Sequence, residues 1–234
     1  MTSRPEPTVQ AFPALVFDLD GTLLDSVPDI GQALNRTLMD LGRPTVSPAQ
    51  VRRFVGDGVR RLVERGLEAT GGLPDAGAQD AALDRFMAIY GAIPADPACI
   101  FPGVLDTLRA LAAAGHGLAV CTNKPEAITR DLLRDLGLLD LLAAVVGGDT
   151  LPQRKPAPEP LLAAIARMGA SPAGALMVGD SENDVATARA AGVPVVAVTY
   201  GYSRVPVPEL GADHVIDRFD ALPGAIASLA SRRA

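Results

Sequence analysis

Two carboxylates, Asp18 and Asp20, follow a short apolar run at residues 14–17, and a glycine, Gly21, comes directly after them. Residues i and i+2 of a strand lie on the same face, so both carboxylates are predicted to enter one small volume. Two carboxylates this close repel unless a cation separates them or one takes up a proton, which indicates Mg²⁺ binding or acid/base chemistry. Gly21 allows a turn that leaves backbone N–H groups and the Thr22 hydroxyl available to an anion. The alternative is an Asp-rich turn that only hydrogen-bonds itself.

Polar groups also follow the ends of other apolar runs. Thr122, Asn123 and Lys124 come after residues 118–121, and Asp180 and Asp184 come after residues 175–178. Lys155 stands in a proline-rich loop after residues 143–146, the third such run. In a parallel sheet, ligands bind beyond the carboxyl ends of the strands, so these groups are predicted to meet at one site.

The order of elements predicts an α/β fold, a Rossmann-like parallel sheet with an inserted helical domain. From Pro102 onward, short apolar runs alternate with helical patterns, which is typical of a parallel sheet with crossover helices. Between Pro28 and Pro94 the chain has three apolar stripes at helical spacing and no strand candidate. We therefore expect a catalytic core at residues 9–27 and 95–234 and a helical domain at 28–94.

Four segments in this order resemble the motifs of the haloacid dehalogenase superfamily: Asp18-Leu19-Asp20-Gly21-Thr22, Thr122, Lys155, and Gly179-Asp180-Ser181-Glu182-Asn183-Asp184. The helical insertion resembles the C1 cap of that superfamily. Further segments resemble its bacterial phosphoglycolate phosphatase branch: residues 155–161, Val55-Gly56-Asp57-Gly58 and Thr199-Tyr200-Gly201-Tyr202.

The resemblance implies hydrolysis of a phosphomonoester through an aspartyl-phosphate, with 2-phosphoglycolate as the expected substrate. It implies that Asp18 is the nucleophile and Asp20 the general acid and base. Mg²⁺ would be bound by Asp18, the Asp20 backbone carbonyl and Asp180, with Asp184 either a ligand through water or a residue that orients others. The residues expected to hold the phosphate are Thr22, Thr122, the Asn123 N–H and Lys155.

Substrate choice is expected to lie in the cap, because the four motifs read only the phosphate. Gly56, Asp57 and Gly58 predict a loop that interrupts the helices and approaches the core. Arg60 and Arg61 follow it, and our hypothesis is that one of them binds a substrate carboxylate. The alternative is that both lie on a solvated helix face. Lys124 is predicted to lie at the surface or rim of the site.

Composition narrows the classes of partner. The net charge of −6 argues against a general nucleic-acid binder. The absence of a long uncharged apolar run argues against a membrane span, and Met1 to Thr8, without the apolar region of a secretory signal, is predicted to be a frayed tail. A cytoplasmic location and a monomer or homodimer are expected, and the resemblance implies a small phosphorylated metabolite as the partner.

Other functions remain open at this stage. Within the superfamily they are a phosphatase or mutase for a sugar phosphate, such as N-acetylmuramic acid 6-phosphate or glucose 1-phosphate, and a pyrophosphatase. The segment from Ser26 to Ile30 lacks the histidine that β-phosphoglucomutase-like enzymes typically have there, which disfavours the mutase. A non-enzymatic phosphoacceptor domain would share the clustered acids and the lysine, but it is usually shorter and needs no cap.

Overall fold

A parallel sheet forms the centre of the molecule. The computed structural model describes residue 9 and residues 11–233. Its strands are β1 (Ala14–Phe17), β2 (Gly117–Cys121), β3 (Ala144–Val146), β4 (Ala175–Gly179), β5 (Val195–Val198) and β6 (His214–Ile216). Within the described residues they form one sheet in the order β3-β2-β1-β4-β5-β6, and every pairing is parallel. The predicted Rossmann-like α/β fold is confirmed.

Four helices fill the chain between residues 27 and 90. They are α1 (Val27–Asp40), α2 (Pro48–Phe54), α3 (Val59–Ala69) and α4 (Ala76–Tyr90). Their apolar stripes meet in a separate core that includes Ile30, Leu34, Leu62 and Phe86. The loop at Gly56, Asp57 and Gly58 separates α2 from α3, as the glycines predict.

The two segments that join these helices to the sheet run side by side. The Asp25 N–H donates to the Cys99 carbonyl at 2.7 Å, and the Phe101 N–H donates to the Leu23 carbonyl at 3.0 Å. The helical insertion is therefore anchored by a paired stalk.

Five further helices cover both faces of the sheet: α5 (Val104–Ala114), α6 (Glu126–Asp135), α7 (Glu159–Arg167), α8 (Glu182–Ala190) and α9 (Leu222–Ser231). Leu15 and Phe17 of β1 pack with α5, α6 and α9 on one face, whereas Ala14 and Val16 pack with α7 and α8 on the other. Because both faces are covered, the strands are continuous apolar runs rather than alternating ones.

The strand order reverses beside β1. The chain proceeds from β1 to β2 and β3 in one direction, and from β4 to β6 in the other. Phe17, the last residue of β1, is in register with Val120 of β2 and Val178 of β4. A crevice at such a reversal is where ligands bind in open α/β sheets, and it lies directly after Phe17.

Among the described residues, no helix combines the length and apolar character needed to cross a bilayer. The frayed tail predicted for residues 1–8 lies outside the part of the chain that the structure describes.

Candidate active site

The polar residues that follow the strands converge at the crevice. Asp18, Asp180 and Asp184 offer carboxylate oxygens that all lie within 4.8 Å of one another, and all three side chains are buried. Burial, reinforced by the Asp184 carboxylate and opposed by Lys155, raises the pKa of Asp18 to about 7. Burial and the neighbouring Asp184 also raise the pKa of Asp180 well above its ordinary range.

Lys155 links two of these carboxylates. Its Nζ lies 2.7 Å from Asp18 Oδ1 and 2.6 Å from Asp184 Oδ1. Asn123 fixes the lysine's backbone, because its side chain accepts from the Lys155 N–H and donates to the Lys155 carbonyl, each at 3.0 Å. Lys155 is thus a rigidly held cation next to Asp18.

Asp184 holds this arrangement together from the first turn of α8. Its Oδ2 accepts from the Ser181 N–H at 3.0 Å and from the Asp180 N–H at 3.2 Å, while Oδ1 accepts from Lys155. Both oxygens are engaged, so Asp184 orients Lys155 and the start of the helix.

Asp180 is fixed by two donors and by the close approach of glycine backbones. Its Oδ1 accepts from the Thr22 hydroxyl at 3.0 Å, and its Oδ2 accepts from the Tyr202 N–H at 2.6 Å. A Cβ on Gly201 would lie only 2.2 Å from the Asp180 Cβ, so glycine is required there. The Thr22 side chain is fully buried against Asp180 and does not line the pocket at the site, so its contact with phosphate stays a prediction that this geometry does not support.

The donor set fits a divalent cation. The cluster holds three buried carboxylates and the single ammonium of Lys155, which pairs with Asp18 and Asp184. When all three carboxylates are ionised, their negative charge exceeds that of the ammonium by two. Buried charge of this kind is costly unless it is paired, and oxygen-only ligands suit hard divalent ions. Asp18, Asp180 and Asp184 could therefore hold such an ion.

Asp20 has different neighbours from Asp18. Its Oδ1 accepts from Lys124 Nζ at 2.8 Å and from the Ser26 hydroxyl. The prediction that Lys124 lies at the surface or rim is wrong, because its side chain is only 5% exposed. Burial alone would lower the pKa of Lys124, but Asp20 and Tyr90 together outweigh it, and the pKa lies above its ordinary value.

The loop between α2 and α3 contacts the core at the crevice. The Gly56 carbonyl accepts from Asn123 Nδ2 at 2.9 Å and from Asn183 Nδ2 at 3.2 Å. Asp57 accepts from Asn183 Nδ2 at 2.7 Å and from Arg204 at 2.6 Å. Gly58 has a φ of +89°, and a Cβ there would lie 2.9 Å from the Arg154 guanidinium. The predicted approach of residues 56–58 to the core is present in this structure.

Arg60 and Arg61 lie elsewhere. Arg60 pairs with Asp80 at 2.8 Å, and Arg61 pairs with Glu64 at 3.0 Å and with Glu68 at 3.3 Å. Both side chains are exposed, and neither lines the pocket at Asp18. The structure gives no support to the hypothesis that one of them binds the substrate, since their charges serve ion pairs on the solvated face of the helices, and it stays a prediction.

One pocket joins the sheet to the helical insertion. Thr122 and Asn123 line it at the core, together with Asp18, Asp20, Lys124 and Lys155. The insertion contributes mainly apolar walls: Ile30, Val55, Val59, Leu62, Phe86, Met87 and Tyr90. The pocket thus has one strongly charged end and one apolar end.

Sequence reasoning missed several residues at this site. Ser26 and Tyr90 contact Asp20 and Lys124 respectively, and Arg204 joins Asp57 to Glu182 at the junction of core and insertion. One signal for Lys124 was present: the chain has only two lysines among 21 basic residues, and both follow apolar runs. No local pattern indicated Arg204, because its partners are far away along the sequence.

The chain resembles known proteins over most of its length. Residues 12–192 match the family model of the haloacid dehalogenase-like hydrolases. A phosphoglycolate phosphatase of Rhodospirillum rubrum is 52% identical over 213 residues, which cover 89% of this chain and 88% of that protein. One of Cereibacter sphaeroides is 46% identical over 211 residues, which cover 90% of this chain and 96% of that protein.

A solved structure has the same fold. The crystal structure of a predicted phosphoglycolate phosphatase from Haemophilus somnus superposes with a TM-score of 0.85 and 32% identity, over 92% of this chain and 98% of that one. The family model spans more than half of the chain, and the aspartates, threonine and lysine of the superfamily motifs meet in one crevice. The chain therefore belongs to the haloacid dehalogenase-like hydrolase family and is a phosphomonoester hydrolase.

Proposed function

We propose that this hydrolase converts 2-phosphoglycolate to glycolate and phosphate, through an aspartyl-phosphate on Asp18 and with Mg²⁺ as cofactor. Residues 28–94 act as a cap over a core formed by residues 9–27 and 95–234. The observation that carries the proposal is the pocket shared by core and cap, in which Asp18, Asp20 and Lys155 face a small apolar chamber.

The chamber favours a short substrate over a sugar phosphate. Sugar hydroxyls need hydrogen-bonding partners when they leave water. The cap offers mainly aliphatic and aromatic side chains there, among them Ile30, Leu62 and Phe86. A two-carbon ester needs only a narrow apolar wall and a cation for its carboxylate. The names of the Rhodospirillum rubrum and Cereibacter sphaeroides relatives support the same substrate.

In the first step, an Asp18 carboxylate oxygen attacks phosphorus as the bond from phosphorus to the ester oxygen breaks. Asp20, in its protonated form, donates its proton to the departing glycolate oxygen. Lys155, 2.7 Å from Asp18, neutralises charge on the transferring oxygens. The Thr122 hydroxyl and the Asn123 N–H complete the phosphate cradle.

In the second step, Asp20 acts as the base. It takes a proton from a water molecule, whose oxygen attacks the phosphorus of the aspartyl-phosphate and releases inorganic phosphate. Asp18 returns as a carboxylate and Asp20 as an acid. General acid/base catalysis of this kind typically contributes about 10²–10⁴-fold.

Mg²⁺ would be held by Asp18 and Asp180, by the Asp20 backbone carbonyl, and by Asp184 directly or through water. When bound, it supplies positive charge that reduces repulsion between the carboxylate nucleophile and the phosphate. The excess of buried carboxylates over ammonium groups in this cluster supports the assignment.

The test is Mg²⁺-dependent phosphate release from a panel of 2-phosphoglycolate, β-glucose 1-phosphate, pyrophosphate and N-acetylmuramic acid 6-phosphate. Asp18→Asn serves as the blank, and EDTA should abolish turnover. The highest kcat/KM is expected for 2-phosphoglycolate. A higher value for one of the other three would refute the proposed substrate, and full activity of Asp18→Asn would refute the nucleophile. A single turnover without further phosphate release would indicate a phosphoacceptor.

A further inference from the structure

We infer that Lys124 recognises a second anionic group on the substrate, one carbon from the ester oxygen, and that this contact releases Asp20 for proton transfer. The inference rests on the proposed hydrolysis of 2-phosphoglycolate. It assigns substrate selection to a core residue rather than to the arginines of the cap.

Lys124 stands where the charged and apolar ends of the pocket meet. Its Nζ is 2.8 Å from Asp20 Oδ1 and 4.8 Å from the centre of the Tyr90 ring, and its side chain is almost fully buried. A buried ammonium of this kind retains its charge only with partners. Asp20 is the sole carboxylate paired with it within the described residues.

The two buried lysines of the pocket are held differently. Lys155 contacts two carboxylates, and Asn123 fixes its backbone on both sides. Lys124 contacts only one carboxylate, that of Asp20, and the face of the Tyr90 ring, within the described residues. An anionic group of the substrate can therefore replace Asp20 as the partner of Lys124, while the contacts of Lys155 at the phosphate end of the site stay in place.

No other cation competes for this position among the described residues that line the pocket, since Lys124 and Lys155 are its basic side chains. Arg204 lies at a neighbouring pocket, but its guanidinium is paired with Asp57 at 2.6 Å and with Glu182 at 3.2 Å. Arg154 lies beside Gly58 but does not line the pocket.

The geometry of the substrate matches this pair of residues. In 2-phosphoglycolate one methylene carbon carries both the ester oxygen and the carboxylate. Asp20 must reach the ester oxygen to protonate it. The substrate carboxylate, which is attached to the same methylene carbon, therefore lies close to Asp20 and to the Lys124 ammonium that is paired with Asp20. Moving Lys124 Nζ from Asp20 to that carboxylate keeps the ammonium paired and releases Asp20 from its ion pair, with the Ser26 hydroxyl still donating to Asp20 Oδ1. An ester without a second anion leaves Asp20 in its ion pair.

The test compares 2-phosphoglycolate with ethyl phosphate, which has a methyl group in place of the carboxylate. Lys124→Met should lower kcat/KM for 2-phosphoglycolate by about 30-fold or more, as expected for loss of one partner of a buried charge pair. It should raise kcat for ethyl phosphate, because Asp20 is no longer paired. Lys124→Arg, which keeps the charge, should recover part of the preference. Arg154→Met is the matched control and should change neither substrate by more than about twofold.

Equal losses on both substrates in Lys124→Met would overturn the inference, since removal of a merely structural ion pair lowers both. If Lys124→Met does not fold, Lys124→Gln decides by the same ratio. A wild type that prefers another member of the substrate panel refutes the proposed function. A wild type that strongly prefers 2-phosphoglycolate, with the preference unchanged in the Lys124 variants, refutes only the role of Lys124.

Discussion

Without metal, the free energy of unfolding of this protein should fall as the pH rises, and Asp18 should account for a large part of that fall. Burial and Asp184 raise the pKa of Asp18 from an ordinary 3.8 to about 7 in the folded chain. A group with a raised folded pKa contributes stability that is fully present below pH 3.8. That contribution is lost as the pH rises through 7. The difference between these two pKa values corresponds to about 4 kcal/mol of unfolding free energy.

The measurement is the free energy of unfolding in urea, in EDTA, at several pH values from 4 to 8, for the wild type and for Asp18→Asn. The variant keeps the size of the side chain but cannot titrate, so the difference between the two proteins isolates Asp18 from other ionisable groups. We expect wild type minus variant to decrease by up to about 4 kcal/mol over this range.

Mg²⁺ provides the second arm of the experiment. At pH 8 a divalent ion that binds the folded carboxylates should raise the wild type's free energy of unfolding more than the variant's. A difference that stays flat with pH in EDTA would show that Asp18 does not carry uncompensated charge in the folded protein. An equal effect of Mg²⁺ on both chains would remove Asp18 from the metal site.

Four further substitutions test other contacts. Asp20→Asn should lower kcat for 2-phosphoglycolate by about 10²–10⁴-fold, measured at steady state, because it can neither donate nor accept the proton; a kcat within tenfold of wild type would contradict that role. Arg204→Ala removes the ion pairs to Asp57 and Glu182 that join cap and core, so KM should rise severalfold with a smaller change in kcat; unchanged KM would mean that cap closure does not depend on them. Arg60→Ala and Arg61→Ala should each leave KM within about twofold of wild type, because both side chains form exposed ion pairs away from the pocket; a tenfold rise would restore the original hypothesis.

The strands and the acidic cluster could be predicted from sequence because their causes are local. A buried parallel strand needs an uninterrupted apolar run, and residues just beyond its end must lie at the carboxyl edge of the sheet. That reasoning is enough to bring Asp18, Asp180 and Lys155 together. It does not say which oxygen each side chain bonds, which is why Thr22 was expected at the phosphate and lies against Asp180.

The environment of Lys124 was harder to predict from the sequence than that of Arg61. Lys124 is buried by Asp20 and Tyr90, which lie 104 and 34 positions away, and only the folded chain brings them together. The partners of Arg61 lie three and seven residues ahead on the same helix, so helical spacing alone predicts the exposed ion pairs. The solvated helix face, which was the alternative for Arg61, was thus accessible to sequence reasoning, whereas the burial of Lys124 was not.

Asn123 contacts both the helical insertion and the loop that carries Lys155. The same Nδ2 group donates to the Gly56 carbonyl of the cap at 2.9 Å and to the Lys155 carbonyl of the core at 3.0 Å. Its Oδ1 accepts from the Lys155 N–H, so Asn123 retains two bonds to the Lys155 backbone when the cap leaves. On the proposed function, the phosphate end is preformed in the core, whereas the walls at Ile30 and Phe86 belong to the cap. We therefore expect recognition of phosphate to precede closure of the cap, and recognition of the remainder of the substrate to require it.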